Sequence, residues 1–217
     1  MTTDSRHGSP TGRDRQARTR LAGAAVVAAA QTLFLGRGYA ATTVESISDM
    51  SDVPVATVYR LFTSKLGILK ALLDVSISGD DDALPVHDRS HVRALLADPD
   101  PRKQLAGFAG ITSGIMSRAE PVHRILVSAA ASDPDAAALL DRQTQQRQQG
   151  QARIARALAD AAALRPELRE RDAADIIHAL MSPEVYRLLV RDRSWSTAKY
   201  RRWLEQTLIG QLLPSQT

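Results

Sequence analysis

Apolar residues recur every three or four positions along most of the chain, and this spacing predicts amphipathic helices. Alternating runs of β-branched and aromatic residues, which are typical of strands, are nearly missing from the sequence. Ala and Leu are abundant, whereas aromatic residues make up only 4% of the chain, and this balance also favours helices. We therefore predict an all-α protein of about nine or ten helices.

The first third of the chain predicts three helices and the start of a longer fourth one. The first should run from 13 or 15 to 35 and end at Gly36 in a left-handed conformation. Its predicted buried side comprises Leu21, Ala24, Ala25, Ala28, Leu33 and Phe34. Two short helices should follow within 43–62, and a fourth should run from 64 to about 77.

The two short helices have recognisable start and stop signals. Thr42 and Glu45 have the spacing of a capping box at the start of the first one. Asp52 stands in the turn, where Asp tolerates a left-handed conformation better than most residues. Pro54 suits the first turn of the second helix, because that turn leaves its backbone donors unpaired anyway. Ser64 is expected to cap the fourth helix.

The rest of the chain predicts a helical body. Its helices should span about 89–97, 101–117, 120–131, 134–163, 170–191 with a kink or break at Pro183, and 196–213. The segment GDDDALPVHDRS is a linker between the two parts. We predict three regions: a disordered arm at 1–12, a helical N-terminal domain at 13–78 and a larger helical domain at 79–217.

Two short helices around a tight turn describe a helix-turn-helix when the second one displays small, hydrogen-bonding side chains. Val55, Ala56, Thr57 and Arg60 would meet base edges in a major groove. The set predicted to lie at the phosphates or the helix ends comprises Thr42, Thr43, Pro54, Tyr59, Lys65, Arg13 and Arg15. An ordinary helical hairpin with a solvated polar face explains the spacing equally well.

The segment from Leu33 to Leu72 resembles the DNA-binding domain of the tetracycline-repressor-like (TetR) family. The resemblance is carried by LF and GRGY at 33–39, TTV at 42–44, TVYRLF at 57–62, and SK followed by two leucines. It implies backbone contacts near Thr43, Tyr59 and Lys65, and base contacts around Val55 to Arg60. Asp52 replaces the family's usual Gly and Pro54 its usual Ser cap, so we do not transfer an operator sequence from relatives.

The body predicts two further functions, each with an open alternative. The last two helices carry more large apolar residues than one small domain needs, which favours a homodimer, as the resemblance also implies. The predicted interface comprises Trp203, Leu204, Leu208 and Leu212. Candidate residues for a small-molecule effector pocket are Phe108, Met116, His123, His178, Met181 and Tyr186. Each of these six is also explained by ordinary core packing.

Composition changes this picture little. A net charge of +4 permits nucleic-acid binding, and the chain has no cysteine, which excludes disulfides and thiolate catalysis. We find no nucleophile–base set and therefore predict no enzyme, no cofactor and no metal; His87 and His91 have ligand-like spacing but read as a polar loop. The apolar run at 21–30 continues into an amphipathic helix, so we expect no exported or membrane protein but a cytoplasmic, nucleoid-associated one.

Together these patterns predict a sequence-specific transcriptional regulator that binds double-stranded DNA. The favoured form is a repressor released from a palindromic operator by a small molecule. The alternatives are a ligand-independent regulator or activator, and a structural protein that binds DNA without sequence preference.

Overall fold

The computed structural model describes residues 12–79 and 89–215, with side chains from residue 15 onward. Within these ranges the chain forms ten α-helices and no strand, so the all-α prediction is confirmed. Residues 1–11 of the predicted arm, the side chain of Arg13, and residues 80–88 with His87 lie outside the described part. The helices are α1 Gly12–Arg37, α2 Val44–Ser51, α3 Val55–Phe62, α4 Lys65–Ser78, α5 Ser90–Leu96, α6 Pro101–Ala130, α7 Pro134–Asp160, α8 Glu170–Leu180, α9 Pro183–Tyr186 and α10 Thr197–Leu212.

The chain divides into two compact units between Leu72 and Leu73, inside α4. The N-terminal unit contains α1 to α3 and the first half of α4. Its core is built from apolar side chains of all four helices, which are at most 6% exposed. These core residues are Val26, Ala29, Ala30, Leu33, Phe34, Val44, Ile47, Val58, Ile68, Leu69 and Leu72.

The buried face of α1 differs from the predicted one. Leu33 and Phe34 are buried as expected, but Leu21 is 71% exposed, and Ala24 and Ala28 are also exposed. The helix instead turns Val26, Ala29 and Ala30 inward, a set that keeps the 3.6-residue period with Leu33. An Ala-rich helix offers several apolar faces, so periodicity alone did not identify the correct one.

The end of α1 also lies later than predicted. The helix continues through Gly36 to Arg37, and Gly38 adopts the left-handed conformation with φ of 81°. The amide of Gly38 donates to the carbonyl oxygen of Phe34 at 3.0 Å, which closes the last turn. The Phe34 ring packs against that of Tyr39, with centroids 5.6 Å apart.

One helical stretch, Arg15–Arg37, is long and apolar enough by length and composition to cross a membrane. Core helices of globular proteins pass the same test. Because this helix buries Val26, Ala30 and Leu33 against α2 and α3, we interpret it as the central helix of the N-terminal unit.

The second unit is organised around α6, α7, α8 and α10, which pack against one another. The predicted break before Pro121 is wrong, because α6 runs without interruption from Pro101 to Ala130 with Pro121 inside it. A helix-interior proline costs about 3 kcal/mol through its missing donor and steric clash. Continuous burial along α6, from Leu105 to Ala129, outweighs that cost.

The predicted break at Pro183 is confirmed. There α8 ends at Leu180, and Ser182 begins α9 by accepting a hydrogen bond from the amide of Val185 at 3.2 Å. A π-helical segment, Arg187–Asp192, follows directly after Tyr186. Helix α7 ends at Asp160, earlier than predicted, and the turn that follows places Ala162 at φ of 50°.

Candidate nucleic-acid interface

The turn between α2 and α3 is held by a small set of backbone and hydroxyl contacts. Asp52 adopts the left-handed conformation, φ 54° and ψ 32°, as the sequence predicts. The Ser48 hydroxyl donates to the carbonyl oxygen of Val53 at 2.7 Å, and the Val53 amide donates to the Ser48 carbonyl at 3.3 Å. These bonds fix the direction in which α3 leaves α2.

The start of α2 is capped one residue later than predicted. The capping box joins Thr43 and Ser46: the Thr43 hydroxyl accepts from the Ser46 amide at 3.1 Å, and the Ser46 hydroxyl accepts from the Thr43 amide at 3.2 Å. Thr42 is fully buried and its hydroxyl donates to the carbonyl oxygen of Gly38 at 2.8 Å. Thr42 therefore supports the loop before α2, and its predicted place at the DNA phosphates is wrong.

Helix α3 separates a buried side from a solvent side. Val58 is 1% exposed, whereas Ala56, Tyr59 and Arg60 are exposed, and Val55 and Thr57 are half-buried. Pro54 stands at the N-cap without any side-chain cap, as expected from the missing serine. The predicted base-contacting residues thus share one accessible surface, 55–57 and Arg60.

Lys65 lies within the unit instead of pointing freely into solvent. Its ammonium donates to the carbonyl oxygens of Tyr39 and Thr42, each at 2.9 Å, and lies 4.3 Å from the centre of the Tyr39 ring. Two of its three N–H donors are therefore used internally. Only the third N–H of Lys65 remains for the predicted phosphate contact. The main role of the Lys65 side chain is to hold the loop before α2.

The start of α4 requires a close approach that only glycine permits. The Ser64 hydroxyl accepts from the Gly67 amide at 3.0 Å, which confirms the predicted cap. A Cβ on Gly67 would collide with the carbonyl oxygen of Phe62. Thr63, which joins Phe62 at the end of α3 to Ser64, has a positive φ of 65°.

A groove with a volume of about 640 Å³ lies between α1 and α3. It is lined by Arg15, Arg18, Thr19 and Ala22 from α1 and by Thr57, Arg60 and Leu61 from α3. Three guanidinium groups and two hydroxyls thus share a surface, and none of the described side chains that line it is acidic. This composition is suited to an anion such as a DNA phosphate.

Thr19 and Ala22 were not among the predicted contacts. The signal for them was present, because residues 15, 18, 19 and 22 repeat at the spacing of one helix face. What the sequence does not show is that this face of α1 meets the Arg60 side of α3.

In the body, four of the six predicted pocket residues are core residues. Phe108, Met116, Met181 and Tyr186 are at most 8% exposed and belong to one apolar core. The Tyr186 ring meets that of Tyr200 edge-on, with centroids 4.8 Å apart. Burial raises the pKa of the Tyr200 phenol, with the nearby Tyr186 as a smaller cause.

The other two predicted pocket residues belong to a polar cluster, defined as His123, Arg147, Gln151, His178 and Glu184. His178 Nδ1 lies 2.8 Å from Gln151 Oε1, and His123 Nε2 lies 3.6 Å from Glu184 Oε1. The pairing with His123 is the main reason that the pKa of Glu184 is lowered to about 2. At 3.6 Å this is an ion-pair separation, longer than a good hydrogen bond.

The predicted dimer residues are mostly not on the surface. Leu204, Leu208 and Leu212 are completely buried in the chain's own core, and Trp203 is half-buried. They face inward because α10 packs against α6 and α8 of the same chain. The predicted interface is therefore wrong for these three leucines, because their side chains form part of the core of their own chain.

Fold and site together define an all-helical, helix-turn-helix protein with a separate helical body. Residues 26–72 match the family described as "Bacterial regulatory proteins, tetR family". No curated protein matches the chain. The resemblance seen in the sequence is thus confirmed: the chain carries a TetR-family DNA-binding domain.

Solved structures of TetR-family and other regulators share the fold. NalD, the secondary repressor of the MexAB-OprM multidrug efflux pump in Pseudomonas aeruginosa, has a TM-score of 0.70 and 18% identity, over 91% of this chain and all of NalD. A protein from Mesorhizobium loti described as a TetR-family regulator has a TM-score of 0.68 and 16% identity, over 91% and 99% of the two chains. A regulator from Saccharomonospora viridis, solved with choline, has a TM-score of 0.67 and 18% identity, over 89% and 98%.

Proposed function

We propose that this TetR-family protein is a sequence-specific DNA-binding repressor, released from a palindromic operator by a small-molecule effector. The observation that carries the proposal is the surface formed by α3 and the start of α1. There the accessible residues 55–57 and Arg60 adjoin the groove that contains Arg15 and Arg18. Its place of action is the bacterial cytoplasm, on the nucleoid.

The residues of this surface divide into two roles. Thr57 and Arg60 can hydrogen-bond base edges, and Val55 can meet a thymine methyl group, because a helix of this kind enters the major groove. Arg15, Arg18 and Tyr59 suit phosphate oxygens, which fix the register of the protein on the duplex. We place Thr43 near the backbone as well, since it is exposed at the start of α2.

A homodimer accounts for the palindromic operator. Two recognition helices related by a two-fold axis read half-sites about 34–36 Å apart. Since Leu204, Leu208 and Leu212 are covered, we place the dimer contact on apolar residues that each chain leaves partly accessible on α8 and α10. These are Ile176, Leu180, Trp203 and Ile209.

Release by an effector requires two states of the dimer. The effector shifts their equilibrium only by its differential affinity for the state that does not fit the operator. NalD is a repressor and the Saccharomonospora viridis regulator was solved with choline, which supports an effector-controlled regulator as the general expectation.

The test begins with selection of bound fragments from genomic DNA by the full-length protein. The selected site and a scrambled duplex of equal length are then compared by fluorescence anisotropy at about 150 mM salt, near physiological ionic strength. We expect the selected site to bind roughly a thousandfold more tightly or better. Equal affinity for both duplexes would overturn the proposal in favour of a nonspecific DNA-binding protein.

A reporter assay with the promoter next to the selected site distinguishes the regulatory alternatives. Repression that is relieved in cells by a metabolite extract supports the proposed form. Increased transcription would identify an activator, and repression that no extract relieves would identify a ligand-independent regulator.

A further inference from the structure

The polar cluster of the second unit brings together five side chains from four helices; four are buried or half-buried, and the side chain of the fifth, Glu184, is 64% exposed. His123 comes from α6, Arg147 and Gln151 from α7, His178 from α8 and Glu184 from the first turn of α9. Gln151 is 7% exposed and the His123 side chain 14%. Convergent polar groups next to an apolar core are the usual composition of a small-molecule site.

Two members of the cluster, His123 and Arg147, each have a buried nitrogen without a hydrogen-bond partner among the described residues, and of these two Arg147 carries the fixed positive charge. The unpartnered atom of Arg147 is Nη1. Burial lowers the pKa of the guanidinium, and the charge of Glu184 offsets this only in part. A buried cationic donor without an acceptor is costly, so this position favours an added acceptor that carries negative charge.

The neighbouring side chains do not supply that acceptor. Glu184 is paired with His123 and forms no ion pair with Arg147 within 4 Å. Gln151 Oε1 is occupied by His178. Burial and the charge of Arg147 lower the pKa of His178, so its ring stays neutral at neutral pH and adds no second positive charge.

The surroundings indicate what else the ligand must contain. Gln151 and His178 each lie one helical turn before a buried core residue, Ile154 and Met181, so an apolar environment adjoins the cluster. The thioether of Met181 can adapt to irregular apolar groups. The π-helical segment begins directly after Tyr186, close in sequence to Glu184, and π-helical turns are frequent at functional sites. A ligand that reaches both environments has a charged end and an apolar part.

We propose that this cluster is the effector site and that the effector is a small organic acid whose carboxylate pairs with Arg147. The inference rests on the proposed function, since it names the class of effector for the regulator described above. A planar guanidinium and a carboxylate form two parallel hydrogen bonds, which gives this pair both strength and orientation.

The experiment uses the full-length protein and matched pairs of probes that differ only in charge. Octanoate is compared with octanamide and phenylacetate with phenylacetamide, by titration calorimetry and by the shift in melting temperature. We expect at least one acid to bind, its amide to bind at least tenfold more weakly, and Arg147→Met to weaken the acid at least tenfold. The control Arg142→Met removes an exposed arginine from the same helix and should leave the affinity unchanged.

Three results would overturn the inference: no acid binds, the amide binds as tightly as its acid, or the Arg147→Met protein binds the acid as the wild type does. Circular dichroism shows whether that variant folds. Should it not fold, Arg147→Lys replaces it, because lysine keeps the charge but loses the two-pronged geometry and should still weaken the acid relative to the wild type.

Operator binding is measured on the same wild-type preparation. Specific operator binding without any response to the acids would refute the organic-acid effector and leave the repressor proposal standing. Acid binding at Arg147 without a preferred operator would refute the repressor proposal instead.

Discussion

The ammonium group of Lys65 donates a hydrogen bond of 2.9 Å to the main-chain carbonyl oxygen of Thr42. This bond ties the first residue of α4 to the residue just before the capped start of α2. A second bond of the same length, to the Tyr39 carbonyl, fixes the same loop. The orientation of α2 and α3 therefore depends on a lysine that lies outside both helices.

Lys65→Met should weaken DNA binding by holding the recognition helix less firmly. We expect a loss of about 1–3 kcal/mol in the stability of the N-terminal unit, because two hydrogen bonds from a charged group are removed. Affinity should fall alike for operator and scrambled DNA, with an unchanged slope of log affinity against log salt. Anisotropy titrations at several salt concentrations measure this. A slope reduced by about one unit would show instead that Lys65 chiefly binds a phosphate.

Arg60→Ala and Arg18→Ala should separate base recognition from backbone binding. If Arg60 reads a base, its loss costs about 1–3 kcal/mol at the operator and relaxes preference at one position. Arg18→Ala should weaken all duplexes alike and reduce the salt slope by about one unit. Selection from a randomised operator library, together with salt titrations, measures both effects. If the two variants exchanged these behaviours, the roles assigned within the groove would be reversed.

Local signals predicted the helix-turn-helix more accurately than long-range packing. The break at residues 51–54, the left-handed Asp52, the uncapped Pro54 and the cap at Ser64 each follow from the chemistry of one or two neighbouring residues. The cap of α2 was misplaced by one position, because Thr42 and Thr43 both carry a hydroxyl. Only the folded loop shows that Thr42 bonds back to Gly38.

The errors in the body arose from contacts between distant segments. The sequence shows that α10 has an apolar face but not which partner covers it, so Leu204, Leu208 and Leu212 were taken for a dimer contact. The continuity of α6 through Pro121 depends likewise on burial against α7 and α10. Arg147 was not among the predicted site residues, because it lies in a Gln- and Arg-rich stretch that resembles an ordinary solvated helix face. Only the fold places it beside His178 and Glu184.

Leu208→Ala should destabilise the monomer fold, since Leu208 is fully buried within its own chain. Large-to-small changes at such positions cost about 2–5 kcal/mol through lost burial and a residual cavity. Urea unfolding measures the change, and Gln211→Ala on the exposed side of α10 is the matched control. Light scattering at low urea should give the same mass for variant and wild type. If the variant had wild-type stability but half the molar mass in solution, Leu208 would instead contribute to the dimer interface.

Glu120 is 1% exposed and lies 3.1 Å from Arg191 and 3.4 Å from Arg124. Arg191→Met should cost more than Glu120→Gln, because it leaves a buried carboxylate with one partner, whereas both arginines are accessible enough to be hydrated. We expect about 1–3 kcal/mol for Arg191→Met, the usual cost of a buried group that loses its partner. The double variant Arg191→Met/Glu120→Gln should cost less in urea unfolding than the two single variants together. A cost for the pair equal to the sum of the single costs would show that the two residues do not interact.

His178 should make the protein less stable as the pH falls below neutrality. Its pKa is lowered from 6.5 in the folded state, first by burial and then by the charge of Arg147. Above 6.5 the imidazole is neutral in both states and has no effect on stability. Below that value the unfolded chain takes up a proton that the folded ring resists, so the unfolded state gains stability until the pH reaches the folded pKa.

The urea midpoint should therefore decrease as the pH falls below about 6.5, the ordinary histidine pKa. His178→Gln, which removes the titrating ring, should reduce this decrease. His91→Gln on α5 is the matched control for the loss of an imidazole at an exposed position. If the curves of His178→Gln and wild type remained parallel over the whole range, proton uptake at His178 would not be the cause of the decrease.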